Sequence, residues 1–311
     1  METTDHTLAE TTTDVVARCA DLVAERYVLP EVGERAALRL RERAAAGGYD
    51  GLDPAALAAA LGADLHDVAH DLHLRVIHHP DGVPPTEDPA AYEAYWHEQA
   101  RATAGGMRRV DRLPGNVAHL AIGPVLTPAG PSWDAVTAAM ALVADADALV
   151  LDVRECRGGD PDSVQLLVCH LVGDEPVRLV DIESRLEGVR QRWTHPVAAR
   201  RFGPDKPLVV LTSATTFSGG EELAFDVQLL GRGRVVGERT RGGANPREGV
   251  AVHPELELAL PVARALSPLD GSSWEGVGVQ PDVECPTAEA LNRALALLGG
   301  RAAPTRPGPG A

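Results

Sequence analysis

The sequence predicts an α/β protein with a mostly parallel sheet, preceded by an N-terminal helical bundle. Three observations predict it. Two short runs, ALVLDV (148–153) and PLVVLT (207–212), are apolar almost without interruption, as strands buried on both faces are. Each is followed by a small-residue turn and then by a stretch of helical period and length, the alternation that builds a parallel α/β sheet. Ahead of them, the N-terminal part of the chain carries helical periods instead.

In order along the chain, residues 14–27 place Val15, Val16, Cys19, Leu22 and Val23 on one helical face. A second helix is expected over 35–46. A third begins with Asp53 as N-cap and Pro54 at the first helical position, and runs to about Ala69. The Pro-, Asp- and Glu-rich stretch PDGVPPTEDPAAY reads as a loop. GNVAHLAIG reads as a strand and SWDAVTAAMALVADA as an apolar helix. The strand ALVLDV then runs through the turn RECRGGD into the helix PDSVQLLVCHLV. PLVVLT leads into the helix SGGEELAFDVQLL, and RVVGE gives a third short strand. GVAVHPELELALPV alternates like an antiparallel hairpin, and TAEALNRALALL closes the fold as a helix. The expected organisation is a helical domain over 1–78, a linker over 79–108, an α/β core over 109–300 and a disordered tail over 301–311.

Composition narrows the function. The 311 residues are 44% hydrophobic, enough for a sizeable core, and carry a formal net charge of −16. Such an acidic chain is a poor partner for nucleic acid or for an anionic membrane. METTDHTLAETTTD has neither a basic region nor an apolar run, and no segment reaches the roughly 18 apolar residues of a membrane span. The four cysteines stand far apart without a C-x-x-C pair and read as reduced thiols, so a cytoplasmic location is expected. H-E-x-x-H and G-x-x-x-x-G-K-[ST] are both missing, so neither a metal nor a nucleotide cofactor is expected. His66 and His70 are one turn apart, but no Glu or Cys complements them, and they read as a solvated face.

The chemistry centres on LTSATTFSGGEELAF. Ser218 stands where a buried strand turns into a helix, and the free amides of a helix N-terminus are donors that could hold an oxyanion. Gly219 and Gly220 leave room for a substrate carbonyl, and Glu221 and Glu222 suit the first helical turn. The alternative, that Ser218 is only an N-cap, stays open from this stretch alone. A nucleophilic serine needs a base. Lys206, the one lysine of the chain, precedes the strand and falls at its far end from Ser218, which leaves the eleven histidines.

ALVLDVRECRGG, LTSATTFSGGEELAFDVQ, VVGERTRGGANP and SSWEGVGVQPD resemble, in this order, the motifs of the tail-specific (C-terminal processing) serine protease family. The branch resembled is that of the bacterial relatives of interphotoreceptor retinoid-binding protein, with the tricorn protease core as catalytic cousin. The resemblance covers nearly the whole chain, including the HDLHLRV ending of the helical unit. It implies a Clp-protease/crotonase-like core of ββα units after a helical bundle. It also implies roles: Ser218 as nucleophile, His73 as general base, Glu275 as the orienting carboxylate, and the amides of Gly158 or Gly159 and of Gly219 as oxyanion donors. Where the Ser–Lys branch carries its lysine, this chain has Gly242 and Gly243, which places it with the histidine-using branch. The usual PDZ module has no room between His73 and the first core strand. In RECRGG, Glu155, Cys156 and Arg157 replace small residues, and their bulk is expected to crowd the pocket. Cys156 could serve as a second nucleophile or as a packed small residue. Trp274 could line a pocket or anchor its loop, and Asp152 with Arg154 is expected to form an ion pair.

The resemblance implies a serine-type peptidase acting on peptide or unfolded protein substrates. The alternative on the same fold is a non-catalytic carrier of an apolar ligand of retinoid or fatty-acid type. A homo-oligomer is compatible with either.

Overall fold

The computed structural model describes residues 11–85 and 88–299; the expected disordered tail over 301–311 lies outside them. The first elements are α1 (Thr12–Arg26), α2 (Pro30–Ala45), α3 (Pro54–Ala69), β1 (Arg75–His78), α4 (Pro89–Thr103), β2 (Met107–Leu113) and β3 (Val117–Ile122). Then come α5 (Ala129–Val143), β4 (Ala148–Asp152), α6 (Pro161–Cys169), β5 (Arg178–Ser184), β6 (Gly188–Trp193), β7 (Leu208–Thr212) and α7 (Gly219–Leu229). The chain continues with β8 (Arg234–Gly237), β9 (Arg247–His253), β10 (Leu256–Pro261), β11 (Ala263–Leu266), β12 (Val283–Glu284) and α8 (Ala290–Gly299). The described residues fall into two units: 11–85 with 88–89, 184–188 and 245–264, and 90–183, 189–244 and 265–299.

In the first unit, sequence signals set the helix ends. The Asp14 amide donates to Thr11 Oγ1 (3.2 Å) and the Thr11 amide to Asp14 Oδ2 (3.1 Å), a reciprocal cap that starts α1. Helix α2 begins at Pro30, five residues before its expected start, because a proline at the first helical position gives up no hydrogen bond. Asp53 Oδ1 accepts from the Ala56 amide at 2.8 Å and starts α3 as read. His70 then ends α3 in the left-handed conformation, φ 54°. Val15, Cys19, Val23, Ala36, Leu40, Leu61 and Leu65 form the core of these helices. Strands β1, β10 and β9 pair antiparallel, and Val252, Leu256, Leu258 and Leu260 join the same core. The expected hairpin over 249–262 is therefore β9–β10.

The second unit is built on a six-stranded sheet of order β12-β8-β7-β4-β3-β2. Strands β2 and β3 pair antiparallel and all other pairs are parallel. Every residue of β4 and β7 is buried, as their continuous apolar runs predict. Side chains alternate between the faces. Val117, Ala148, Val150, Val209, Leu211 and Val236 pack on Ala290 and Ala294 of α8. The alternate set, Leu149, Leu151 and Val210, points the other way, and α5 and α7 also pack on the sheet. Strands β5 and β6 belong with β11 to a smaller three-stranded sheet.

One stretch departs from its reading. Residues 79–108, expected as linker, carry the four-turn helix α4, opened by Pro89. Its mix of Tyr, Trp, Glu and Ala buries little, only Ala100 fully, so no apolar stripe marked it in the sequence.

The loops after β3, β4, β7 and β8 all leave the sheet at the C-terminal edge of its parallel strands. Open α/β sheets bind their ligands at that edge.

Candidate active site

The turn after β7 runs into α7 through Ser218, at φ 52°, ψ −121°. An ordinary capping serine takes an extended backbone. A non-glycine residue at positive φ costs roughly 1–3 kcal/mol and persists only where its surroundings impose it. Here they do. The Phe217 amide donates to Cys156 O (3.0 Å), the Gly220 amide to Phe217 O (3.0 Å), and the amides of Glu221 and Glu222 both donate to Ser218 O (2.8 and 2.9 Å). The Ser218 amide donates to Glu221 Oε2 at 2.7 Å. The result is a sharp strand-to-helix elbow that projects a half-buried serine, the geometry that presents a nucleophile in other α/β hydrolytic folds.

Residues 154–160, after β4, form the wall beside it. Gly158 sits at φ 128°, and a Cβ there would lie 2.9 Å from Ser218 Cβ, so no other residue fits without displacing the serine. Gly159 O and N lie 3.1 and 3.3 Å from where a Cβ on Gly219 would stand. The turn is fixed by Leu126, whose amide donates to Gly158 O (3.0 Å) and whose carbonyl accepts from the Asp160 amide (2.9 Å). Among the described residues, the amides of Gly158, Gly159 and Gly219 donate to no backbone acceptor outside regular helices and strands. Three uncommitted donors thus surround the serine, the requirement for holding a developing oxyanion.

The substituted RECRGG turn does not direct its bulk onto the serine. Glu155 and Arg157 are exposed, and Glu155 pairs with Arg108. Cys156 is fully buried, its Sγ 3.0 Å from where a Cβ on Gly220 would stand. Burial pushes its thiol up to about 11, so it stays a protonated packing residue rather than a nucleophile.

Glu275 lies in the same unit. Its Oε2 accepts from the Ala244 amide at 2.6 Å, and the Gly276 amide donates to Gly242 O at 3.0 Å. Trp274, 2% exposed, donates through Nε1 to Gly243 O (3.0 Å) and packs its ring 4.7 Å from that of Phe225. Trp274 therefore anchors the loop that carries Glu275.

His73 belongs to the first unit, buried just beyond the left-handed end of α3. Its amide donates to Asp71 Oδ1 (2.8 Å), and Asp71 Oδ2 accepts from Tyr27 Oη (3.1 Å) and Asn245 Nδ2 (2.9 Å). The buried Asp71 thus fixes the backbone at His73. Sequence reading passed over Asp71, Tyr27 and Asn245, because partners 44 and 174 residues from Asp71 leave no local pattern.

Lys206 precedes β7, at the opposite end of the strand from Ser218, and donates to Ala144 O. At the C-terminal edge, Arg154 grips Asp152 through Nε (2.8 Å) and Nη2 (2.6 Å), the expected ion pair, and His119 Nε2 lies 3.0 Å from Asp152 Oδ2. Burial opposes ionisation of Asp152, but these bonds outweigh it and hold the carboxyl well below the usual carboxylate range. A cavity of about 580 Å³ opens here, lined among others by His119, Asp152, Arg154, Ser213 and Glu238. By strand alternation these side chains share the face covered by α8, and the cavity does not include Ser218.

Comparison with known proteins agrees with this architecture. Residues 121–285 match the model of peptidase family S41, and residues 6–103 match the N-terminal domain of Peptidase_S41 in eukaryotic IRBP. The chain is 28% identical over 165 residues to tricorn protease homolog 1 of Streptomyces coelicolor, covering 50% of this chain and 14% of that protein. It is 30% identical over 169 residues to carboxyl-terminal-processing peptidase 3, chloroplastic, of Arabidopsis thaliana, covering 50% of this chain and 31% of that protein. It therefore spans less than a third of the length of either relative. Among solved structures, the photosystem II D1 C-terminal processing protease shares the fold with a TM-score of 0.54 at 18% identity, over 95% of this chain and 99% of that one. Residues 121–285 contain both Ser218 with its glycine turn and the Glu275 loop, and on that match the chain belongs to peptidase family S41.

Proposed function

We propose that the chain is a serine peptidase in which Ser218 attacks the substrate's peptide carbonyl, His73 takes the serine proton and Glu275 orients the imidazole. The carbonyl oxygen becomes an oxyanion as the C–O bond to Ser218 forms, and the amides of Gly219 and of Gly158 or Gly159 receive it. His73 then returns the proton to the leaving amine, leaving an acyl-enzyme that water hydrolyses. The substrates are peptides or unfolded proteins. The observation that carries the reading is the backbone of Ser218: a strained positive-φ elbow, held by five hydrogen bonds at and around Ser218, with uncommitted glycine amides beside it. A structural cap needs none of that strain.

The test is covalent labelling by a fluorophosphonate probe, read by mass spectrometry. Wild type is expected to gain one adduct on Ser218, and Ser218→Ala to lose both the adduct and cleavage of fluorescein-labelled casein. A wild-type protein that takes no adduct and cleaves nothing in a broad peptide library would sink the peptidase reading.

A second reading, a carrier of an apolar ligand, has in its favour the match of residues 6–103 to the N-terminal domain found in eukaryotic IRBP. Against it, the cavity at the sheet edge is lined mostly by charged and polar side chains, with Ala121, Ile122 and Ala214 the apolar ones among them, where such a ligand needs a mostly apolar wall. Mass spectrometry of organic extracts decides this reading: a co-purified lipid supports it, and an empty extract with no fatty-acid affinity removes it.

A further inference from the structure

We propose that Glu221 is the positioning residue of this site, its carboxylate clamping the Ser218 elbow to the 240–243 segment and, through Ala244, to the loop that carries Glu275. The proposal rests on the serine-peptidase reading for its catalytic consequence and on geometry alone for the clamp.

Glu221 is 0% exposed. Its Oε1 accepts from Thr240 Oγ1 (2.6 Å) and the Gly242 amide (2.6 Å). Its Oε2 accepts from the Gly243 amide (2.8 Å) and the Ser218 amide (2.7 Å). Four donors thus converge on one buried carboxylate, two on each oxygen; burial pushes its carboxyl up, and these four bonds partly offset that rise. One donor belongs to the serine. The other three belong to a segment 19 to 22 residues further on, which ends at Ala244, the donor to Glu275 Oε2. Val279 closes the circuit by donating its amide to Thr240 Oγ1 at 2.7 Å.

The Glu221 carboxylate bonds the backbone amide of Ser218 and not its hydroxyl. It acts through the backbone of Ser218, by imposing the strained elbow, and through the loop, by fixing where Glu275 stands. Charge-assisted bonds of this kind are about twice as strong as neutral ones, and buried networks of them are rigid. The side chain of its neighbour Glu222 is buried on the same helical turn but makes none of these bonds, and so serves as a control for the loss of a buried carboxylate from α7.

Glutamine cannot replace Glu221. With its NH2 in the place of Oε2, glutamine faces the Ser218 and Gly243 amides and both bonds are lost; with its NH2 in the place of Oε1 it faces the Gly242 amide, whose bond is lost while the Thr240 hydroxyl turns to accept. The experiment uses the full chain as wild type, Glu221→Gln, Glu222→Gln and Thr240→Val. It reads fluorophosphonate labelling rate, kcat and KM on fluorescein-labelled casein, and amide hydrogen exchange.

Glu221→Gln is expected to lose about 10²–10³-fold in labelling rate and kcat, the scale of a misplaced oxyanion site, with KM within about threefold. Exchange should speed up at Ser218 and at residues 240–244. Glu222→Gln should stay within about threefold of wild type. Glu221→Gln with wild-type labelling, kcat and exchange overturns the proposal, as does an equal loss in Glu222→Gln. Should Glu221→Gln fail to fold, Thr240→Val carries the test. It removes one donor and unpairs the Val279 amide, so about a tenfold drop in kcat with faster exchange at 240–244 upholds the clamp, and no change in either overturns it. If wild type itself neither labels nor cleaves, the peptidase reading fails separately. Exchange then decides the clamp: acceleration confined to 218 and 240–244 in Glu221→Gln upholds it, and an unchanged pattern overturns it.

Discussion

At Ser218 the local sequence and the tertiary structure ask different things of one residue. A serine three positions before a glutamate is the signature of an ordinary capping box, and the Ser218 amide does donate to Glu221. The positive φ is what the signature does not contain, because it is imposed by Cys156 O and by Gly158 from another loop. The nucleophile candidate was therefore legible, but its strain was not, and neither was the role of Glu221, whose three other partners lie 19 to 22 residues away. The same residues yield a test by contrast. Gly158→Ala puts a methyl 2.9 Å from Ser218 Cβ at a φ of 128° that alanine avoids. It should cost about 1–3 kcal/mol in stability and at least about 10²-fold in labelling of Ser218. Gly130→Ala, in α5 with nothing within 4 Å of its new Cβ, should leave labelling unchanged and stability equal or up to about 1 kcal/mol higher. Thermal melts with labelling rates check both, and equal behaviour of the two variants would show that Gly158 is not constrained by the serine.

Among elements, legibility followed burial. Strands β4 and β7 were plain because both faces are covered and nothing polar interrupts them. Strand β2 (MRRVDRL) was not. It is the last strand of its sheet, and charged side chains on an edge strand hide its alternation while protecting it from stray pairing. Strand β6 (GVRQRW) is mostly exposed and was missed for the same reason. Helix α7 was read correctly but not its polarity. Asp226 is 0% exposed with neither carboxylate oxygen hydrogen-bonded, one turn beyond the buried Glu222. Arg192 Nε lies 3.9 Å from Glu222 Oε1, while its guanidinium is committed to Asp162, Pro161 O and Gln165. Burial pushes Glu222 up from 4.5 to about 7, with Arg192 opposing and Asp160 and Asp162 adding, and burial next to Glu222 raises Asp226 well above the usual range. Both folded-state values are raised, so the stability each contributes is complete below its own unfolded value, 4.5 for Glu222 and 3.8 for Asp226. The Glu222 part is lost as pH rises through about 7, and the Asp226 part as pH rises well above 3.8. The melting temperature should therefore fall as pH rises from about 4 to 7. Asp226→Asn should flatten that slope and raise the melting temperature above pH 7 by several degrees, at about 2–4 °C per kcal/mol for a domain of this size. A variant that melts with the wild-type pH slope would show that Asp226 is not the titrating group.

For the whole molecule, α4, β2, β5 and β6 stand in the second unit without a signal of alternation, while the succession β3, α5, β4, α6, β7, α7, β8 and α8 of that unit followed from it, because a parallel sheet demands a crossover after each strand. Its division did not. Residues 245–264, which the sequence reading placed in the core, are counted by the structure with the N-terminal unit, because β10 pairs with β1 across more than 170 residues. No periodicity encodes that pairing. Net charge, by contrast, is legible in full and carries its own consequence. At −16 the chain sets up a long-range negative potential. Such a field raises the encounter rate of cationic substrates, by roughly 10-fold or more where it is well focused, and slows anionic ones. Its range is set by salt, about 30 Å at 0.01 M and about 8 Å at 0.15 M ionic strength. For a peptidase with this charge, kcat/KM on a peptide flanked by about four lysines should fall several-fold between those salt concentrations. A peptide flanked by glutamates should gain over the same range, and an uncharged one should hold steady. Because steering acts on encounter and not on the acyl transfer, kcat should stay constant for all three. A fall in kcat itself, or equal salt responses for the basic and acidic peptides, would show that the charge serves the protein's own solubility and does not select its substrates.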